Sequence, residues 1–372
     1  MEKNKTDLKV CGIVCEYNPF HNGHKYQIEQ AKKITGCDVV IAVMSAFFVQ
    51  RGEPAIIPPL SRAKAAISNG ADVIIQLPYL YSTQSAEQFA HGAIEILKQC
   101  HIDYLCFGSE CGDLEALKRL VNDFSLFIKE DMKNGDSYAY AMNKDHLDSN
   151  DILALCYLKE IKDTDIEPIL IHRTNTYNSL EMDTVASAMA IRQAIHNNEE
   201  YSFSTPMDKE TFEYPVYLEM FYPYIRTTLL MTPSNELKNI FLFNEGIENH
   251  LKKCADECDS LDAFLNKATT HRYSTSRIRR CLIQMMMHFT YKEKESLEDI
   301  PYIHVLAFND IGRNWLKTMR DDACIIASRF PLIPKYHREI EYRNVLLYTS
   351  VLEENKRKEI LKQCIQGSLY IK

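Results

Sequence analysis

Val10-Cys11-Gly12-Ile13-Val14-Cys15-Glu16-Tyr17-Asn18-Pro19-Phe20-His21-Asn22-Gly23-His24 opens with a short apolar run, crosses a polar loop and ends on two histidines around Asn22-Gly23. Helical periodicity follows over Lys25–Lys33. A strand, a loop and a helix N-terminus in this order form the carboxyl-end crevice where open α/β sheets bind ligands. Unpaired backbone N–H groups and the positive end of the helix dipole face an anion there, and phosphate is the natural guest. Gly23 lets the backbone approach that phosphate while both imidazoles aim at one group. Donors placed where charge builds on phosphorus stabilise an in-line displacement without a covalent intermediate. His21 and His24 are therefore the candidate catalytic residues.

Outward from this stretch, short apolar runs alternate with longer amphipathic ones as far as Ile171, the pattern of a parallel sheet wrapped by helices. Strands are expected at Val10–Cys15, Val39–Met44, Val73–Leu77, Tyr104–Phe107 and Pro168–Ile171, each apolar enough to be buried on both faces. Helices are expected at Lys25–Lys33, Ser61–Ser68, Gln84–Lys98, Leu114–Ile128, Ile152–Glu160 and Val185–His196. No strand signal of similar quality follows up to Lys372, so the remainder reads as mainly helical. The polar stretch Asn197 to Glu210 breaks the periodicity, which predicts an α/β domain over 1–200, with a Rossmann-like parallel sheet, and a mainly helical domain over 201–372.

At 372 residues the chain exceeds what one core usually serves, and 46% hydrophobic with 25% charged residues suits a soluble protein that folds throughout. The apolar run after the charged N-terminus is too short for a signal peptide or a membrane span, so the expected location is the cytoplasm. Twelve scattered cysteines read as reduced and mostly buried; Cys254 and Cys258 share a helix face with His271 beyond, but their spacing is not that of a zinc ribbon. A net charge of −8 argues against coating nucleic acid by charge alone and makes any basic patch a local matter. The densest is His271-Arg272-Tyr273-Ser274-Thr275-Ser276-Arg277-Ile278-Arg279-Arg280, where spaced arginines and a tyrosine suit a phosphate backbone and an unstacked base.

His21-Asn22-Gly23-His24 matches the HxGH signature of the nucleotidyltransferase superfamily. The longer string from Gly12 to His24, with Phe48-Val49-Gln50-Arg51-Gly52-Glu53-Pro54-Ala55, Gly70-Ala71-Asp72, Phe107-Gly108-Ser109-Glu110, Asn150-Asp151-Ile152-Leu153 and Ala186-Ser187-Ala188-Met189-Ala190-Ile191-Arg192, resembles the bacterial tRNA(Met) cytidine acetate ligase family. The resemblance implies an HxGH nucleotidyltransferase-like fold. It also implies an enzyme that activates acetate with ATP, releases pyrophosphate and passes the acetyl group to the wobble cytidine of elongator tRNA(Met). It places ATP against Val14, Cys15, Glu16, Tyr17, Asn18, Pro19, Phe20, His21, Asn22, Gly23, His24, Lys25, Tyr26 and Gln27, with further contacts at Gly108, Asn150 and Arg173. Arg192 is a second phosphate candidate, by likeness to the superfamily's second motif. Magnesium is expected to accompany ATP, although no carboxylate identifies a metal site built by the protein. With the resemblance, Arg277, Arg279 and Arg280 become candidate tRNA contacts, in a different domain from the ATP site. Asn150 has a plainer reading as a helix cap, and Arg51 and Glu53 as a surface pair.

The family pattern is broken at Ala46-Phe47, Pro59, Gln76, Ser149 and Met189, where small or polar residues, a lysine, a carboxylate, a proline and a threonine are expected. All are expected to touch the site. A divergent paralogue binding nucleotide or RNA without this chemistry, and an adenylyltransferase acting on a small metabolite, are the alternative readings.

Overall fold

The computed structural model describes residues 8–121, 148–172, 186–297, 300–321 and 324–372. Five parallel strands form the centre of one sheet: β1 (Val10–Cys15), β2 (Val39–Ser45), β3 (Val73–Leu77), β4 (Tyr104–Ser109) and β5 (Glu167–His172). They lie in the order β5-β4-β1-β2-β3. β1 therefore sits at the centre, registered from Val10 against Val39 to Cys15 against Met44, and the chain leaves it at the reversal between β2 and β4. That switch point is where the strand ends splay to admit a ligand. The helices α1 (Asn22–Thr35), α2 (Pro59–Ser68), α3 (Ala86–Gln99), α4 (Ser149–Ile161) and α5 (Ala188–Asn197) cover the two faces. One face packs Ile41, Val43, Val73 and Ile75 on Ile94, Leu97 and Leu158 of α3 and α4. The other packs Ile13, Val40, Ala42 and Ile74 on Ile28, Ala63, Ile67 and Ile191 of α1, α2 and α5. Of the helix expected at Leu114–Ile128, residues 114–121 are helical and the rest lies outside the described residues.

Helices dominate after residue 200: α6 (Tyr222–Met231), α7 (Ile247–Glu257), α8 (Leu261–Ala268), α9 (Thr275–Met286), α10 (Tyr291–Ser296), α11 (Asp310–Thr318), α12 (Lys335–Thr349) and α13 (Glu354–Ile365). The expectation that no strand follows residue 200 does not hold. β6 (Tyr302–Phe308) joins the sheet antiparallel to β3, and β7 (Ile325–Ala327) and β8 (Leu369–Tyr370) pair with β6. The run Tyr-Ile-His-Val-Leu-Ala-Phe is buried except at Phe308, and a short apolar run between helical patterns cannot be told from a buried helix by periodicity alone. Buried Asp72 fastens this addition: it accepts from Val40 N–H (2.8 Å) and Asn309 Nδ2 (2.9 Å) and pairs with Lys32 Nζ (3.1 Å). One carboxylate thereby ties α1, β2 and the β6–α11 turn together. Among the described residues no helix is long and apolar enough to cross a membrane.

Candidate active site

The chain leaves β1 through Glu16-Tyr17-Asn18-Pro19-Phe20 and enters α1 three residues earlier than its periodicity suggests. His21 is the N-cap. Its Nδ1 accepts from Gly23 N–H (3.0 Å), and His24 Nδ1 accepts from His21 N–H (3.3 Å), so the two imidazoles cap the helix reciprocally. A neutral imidazole that accepts at Nδ1 carries its proton at Nε2, so the backbone sets the tautomer of both rings. The rings stack with centroids 3.7 Å apart, and Tyr17 and Phe20 pack on His24 at 4.8 and 5.7 Å. Tyr17, buried with φ of 47°, adopts the left-handed backbone that non-glycine residues rarely take, which turns the chain sharply out of the strand.

The surrounding polar groups converge on this loop. Asn18 accepts from Ile56 N–H at Oδ1 (2.8 Å) and from Arg192 Nη1 at its carbonyl (2.8 Å), which sets Arg192 of α5 against the turn. Glu16 Oε1 accepts from Gln50 N–H (2.9 Å); burial pushes its carboxyl above the usual carboxylate range, opposed by that hydrogen bond and by Arg51 and Arg192. Arg62 is wholly buried on α2 and donates to the carbonyls of Ile57 (3.1 Å), Glu16 (2.6 Å), Ser45 (2.9 Å) and Ala46. It joins the ends of β1 and β2 with a cation whose pKa burial lowers to about 10. Its composition context, an arginine in an ordinary amphipathic helix, gives no hint of that role. Val14 and Cys15 end β1, Asn22 donates to the Phe203 carbonyl (2.9 Å), and Lys25 and Tyr26 are exposed on α1 with Gln27 half-buried beside them.

Gly108 lies in β4, the neighbour of β1 on the other side of the switch point. Asn150 is not the helix cap. Asp148 holds that position, and Asn150, in the first turn of α4, donates from Nδ2 to Glu110 Oε1 at 2.5 Å. Asp151, a residue the sequence left unassigned, is buried and accepts at Oδ1 from Ser109 Oγ (2.5 Å), Glu110 N–H (3.0 Å) and Cys111 N–H (3.2 Å). It pins the loop after β4 to α4 and so sets Asn150 near Gly108. Arg173 lies outside the described residues.

Over residues 8–363 the sequence matches the family model described as HIGH Nucleotidyl Transferase. The chain belongs to that family. Among similar proteins, a tRNA(Met) cytidine acetate ligase of Caldicellulosiruptor bescii is 37% identical over 92% of this chain and 94% of its own. One of Fusobacterium nucleatum is 36% identical over 84% and 85%. The crystal structure of Thermotoga maritima TmcAL without ligand superposes with a TM-score of 0.88 at 27% identity, covering 98% of this chain and all of that one. The same protein bound with alpha-thio ATP gives a TM-score of 0.85.

Three of the positions that depart from the ligase pattern do not line the HIGH-family turn. Phe47, Pro59 and Gln76 line a separate cavity with His304, Phe330, Glu341 and Val345, in the angle between β3, β6 and α12. Gln76 donates from Nε2 to Glu341 Oε2 (2.6 Å) and accepts from His304 Nδ1 (3.0 Å), while Glu341 Oε1 accepts from Tyr79 N–H (2.7 Å). Ser149 and Met189 do lie in the first turns of α4 and α5.

The arginines of α9 are less available than a basic string suggests. Arg277 donates to Glu245 (3.0 Å) and Asn244 (2.6 Å) and lies over the Tyr273 ring. Arg279 pairs with Glu53, and Glu53 also faces Arg192 at 3.9 Å, so Arg51 and Glu53 are not simply a surface pair. Arg280 has no hydrogen-bond or ion-pair partner among the described residues, and burial lowers its pKa to about 10. Cys254 and Cys258 are buried apart from exposed His271; the ligand-like grouping among the described residues is instead His91, Glu95 and Glu160. All twelve cysteines are free thiols.

Proposed function

We propose that this chain is an ATP-dependent acetate ligase that acetylates the wobble cytidine of elongator tRNA(Met). The observation that carries this is the reciprocal cap of His21 and His24, which fixes two imidazoles at a helix N-terminus on the switch point of the sheet. An acetate oxygen attacks the α-phosphorus of ATP, the bond to the β-phosphate oxygen breaks, and pyrophosphate leaves. His21, His24 and Arg192 bear the negative charge that grows on the phosphoryl oxygens. The cytidine amine then attacks the acetyl carbonyl, the bond to the adenylate oxygen breaks, AMP leaves, and the nitrogen gives its proton to water. Gly108 and Asn150 are assigned to the adenosine, Arg173 to phosphate, and Arg277, Arg279 and Arg280 to the tRNA backbone. Magnesium enters with the triphosphate, because Glu16 and Glu53 beside the turn are already engaged by Gln50 and by arginines. These substrates belong to the cytoplasm.

The test is mass spectrometry of tRNA(Met) incubated with the protein, ATP and acetate. Acetylcytidine at the wobble position is the expected product. Its absence, with protein that binds ATP, would overturn the proposal in favour of nucleotide binding without this transfer.

A further inference from the structure

Residues 48–54 form a tight loop, bridged between Phe48 and Pro54 and closed by Val49 N–H on the Glu53 carbonyl (2.9 Å) and Gly52 N–H on the Val49 carbonyl (3.0 Å). Gly52 has φ of +77°, and a Cβ there would fall 2.4 Å from the Arg280 backbone nitrogen. Only glycine lets this loop lie on the backbone of α9. The approach brings the Glu53 carboxylate between two arginines from distant parts of the chain. Oε1 accepts from Arg279 Nη1, and Oε2 lies 3.9 Å from Arg192 Nη2. The second separation is too long for a hydrogen bond, and Arg192 is held instead by the Asn18 carbonyl through Nη1. Half of its guanidinium fork therefore faces a carboxylate without being hydrogen-bonded to it. Glu53 is the sole hydrogen-bond or ion-pair partner of Arg279 among the described residues, and Arg279 Nε is buried without one.

A carboxylate so near the turn is a hazard for a protein that binds a polyanion, because like charges in a half-buried site repel with little screening. We infer that Arg279 is a positioning residue of the nucleotide site: it neutralises Glu53, so that Arg192 can offer the open half of its fork to a phosphate. This rests on the proposed ATP site, and it moves Arg279 from the RNA side to the nucleotide side. Arg277 and Arg280 keep the RNA assignment. The carboxylate in turn keeps α9 seated on the loop after β2, so that the C-terminal helices meet the turn through one chain of contacts, two ion pairs from Arg279 to Glu53 to Arg192 and a hydrogen bond from Arg192 to the Asn18 carbonyl.

The experiment compares full-length wild type with Arg279→Gln, Arg279→Lys, Glu53→Gln and the Glu53→Gln/Arg279→Gln double variant. ATP affinity is read by calorimetry, and tRNA affinity across a salt series. Arg279→Gln unmasks the carboxylate and should weaken ATP binding about tenfold, the effect of one uncompensated charge at this range. Arg279→Lys should recover most of the loss. The double variant should return to within about threefold of wild type, because the charge that repelled phosphate is gone. A role in folding alone would not be rescued by a second truncation. The salt slope of tRNA binding should be the same in Arg279→Gln and wild type. Unchanged ATP affinity in Arg279→Gln, or a double variant as weak as that single one, overturns the inference; so does a tRNA salt slope lowered by about one unit. If wild type binds no ATP, the proposed site fails and this inference with it. If wild type binds ATP and Arg279→Gln binds it equally well, the inference alone fails.

Discussion

The His21–His24 turn and the cavity lined by Gln76, His304 and Glu341 both adjoin the carboxyl ends of parallel strands, but they hold their polar groups in different ways. At the turn the backbone engages Nδ1 of each imidazole, so main-chain N–H groups fix the rings in place. In the cavity side chains engage each other: one amide donates to Glu341 and accepts from His304. An amide carries both a donor and an acceptor, so Gln76 satisfies the two neighbours at once. Burial pushes Glu341 up to about 7 and His304 down to about 4, which favours the neutral form of each. The departures at Phe47, Pro59 and Gln76 therefore fit one another within a cavity that has its own electrostatics, and they leave the turn intact.

The largest effect that would test this contrast belongs to the turn. His24→Ala should keep the fold and lower ATP-dependent turnover at least about a hundredfold, the scale of a lost donor at a phosphoryl transition state. Turnover near wild type in a steady-state assay would take the turn out of the mechanism. Cavity variants should do the reverse, moving stability with pH while ATP affinity holds.

For Glu341 the folded pKa exceeds the ordinary 4.5, so the folded state holds the extra proton, and its contribution to stability falls as pH rises from about 4.5 to about 7. For His304 the folded pKa lies below the ordinary 6.5, so the unfolded state holds the extra proton, and stability falls as pH drops from about 6.5 to about 4. The two slopes oppose each other over most of this range. Glu341→Gln should therefore unmask a loss of stability on acidification, and His304→Gln a loss on alkalinisation, each of the order of 3 kcal/mol across its window. Denaturant midpoints measured from pH 4 to 8 would reveal this; variants with the same flat profile as wild type would show that the pair does not titrate as described. The smallest effect is expected where the loop after β4 meets α4. Asn150→Ala should weaken ATP binding by about fivefold, roughly the worth of one hydrogen bond, with tRNA affinity unchanged in the same titrations.

Four of the parallel strands were legible because each is apolar on both faces, which only a covered sheet requires, whereas the expectation of double burial fails for β5, an edge strand buried only at Ile171 over residues 167–171. The start of α1 was misjudged by three residues because histidine is not among the usual capping types, and His21 caps through a ring nitrogen. β6 escaped because its partner β3 is far away in sequence and nothing local marks the pairing. At the site, the residue types around the turn announced an anion, whereas Arg62 and Asp151 look ordinary in sequence. Their importance comes from the carbonyls and N–H groups that the fold gathers around them. The link from Arg279 to the turn was likewise invisible, since it depends on a glycine loop lying on a helix more than two hundred residues further along.

The antiparallel seam between Val73–Leu77 and Tyr302–Phe308 has a consequence for how the chain is made. Strand β3 emerges from the ribosome long before its neighbour exists. At roughly 5–20 residues per second, tens of seconds can pass before Val73–Leu77 meets Tyr302–Phe308. During that interval the nascent sheet has an open apolar border with unpaired peptide groups, the surface on which chains add to one another. Closing that border falls to a strand more than two hundred residues further along, so truncation before Tyr302 would leave a sticky partial fold in place of a smaller working enzyme.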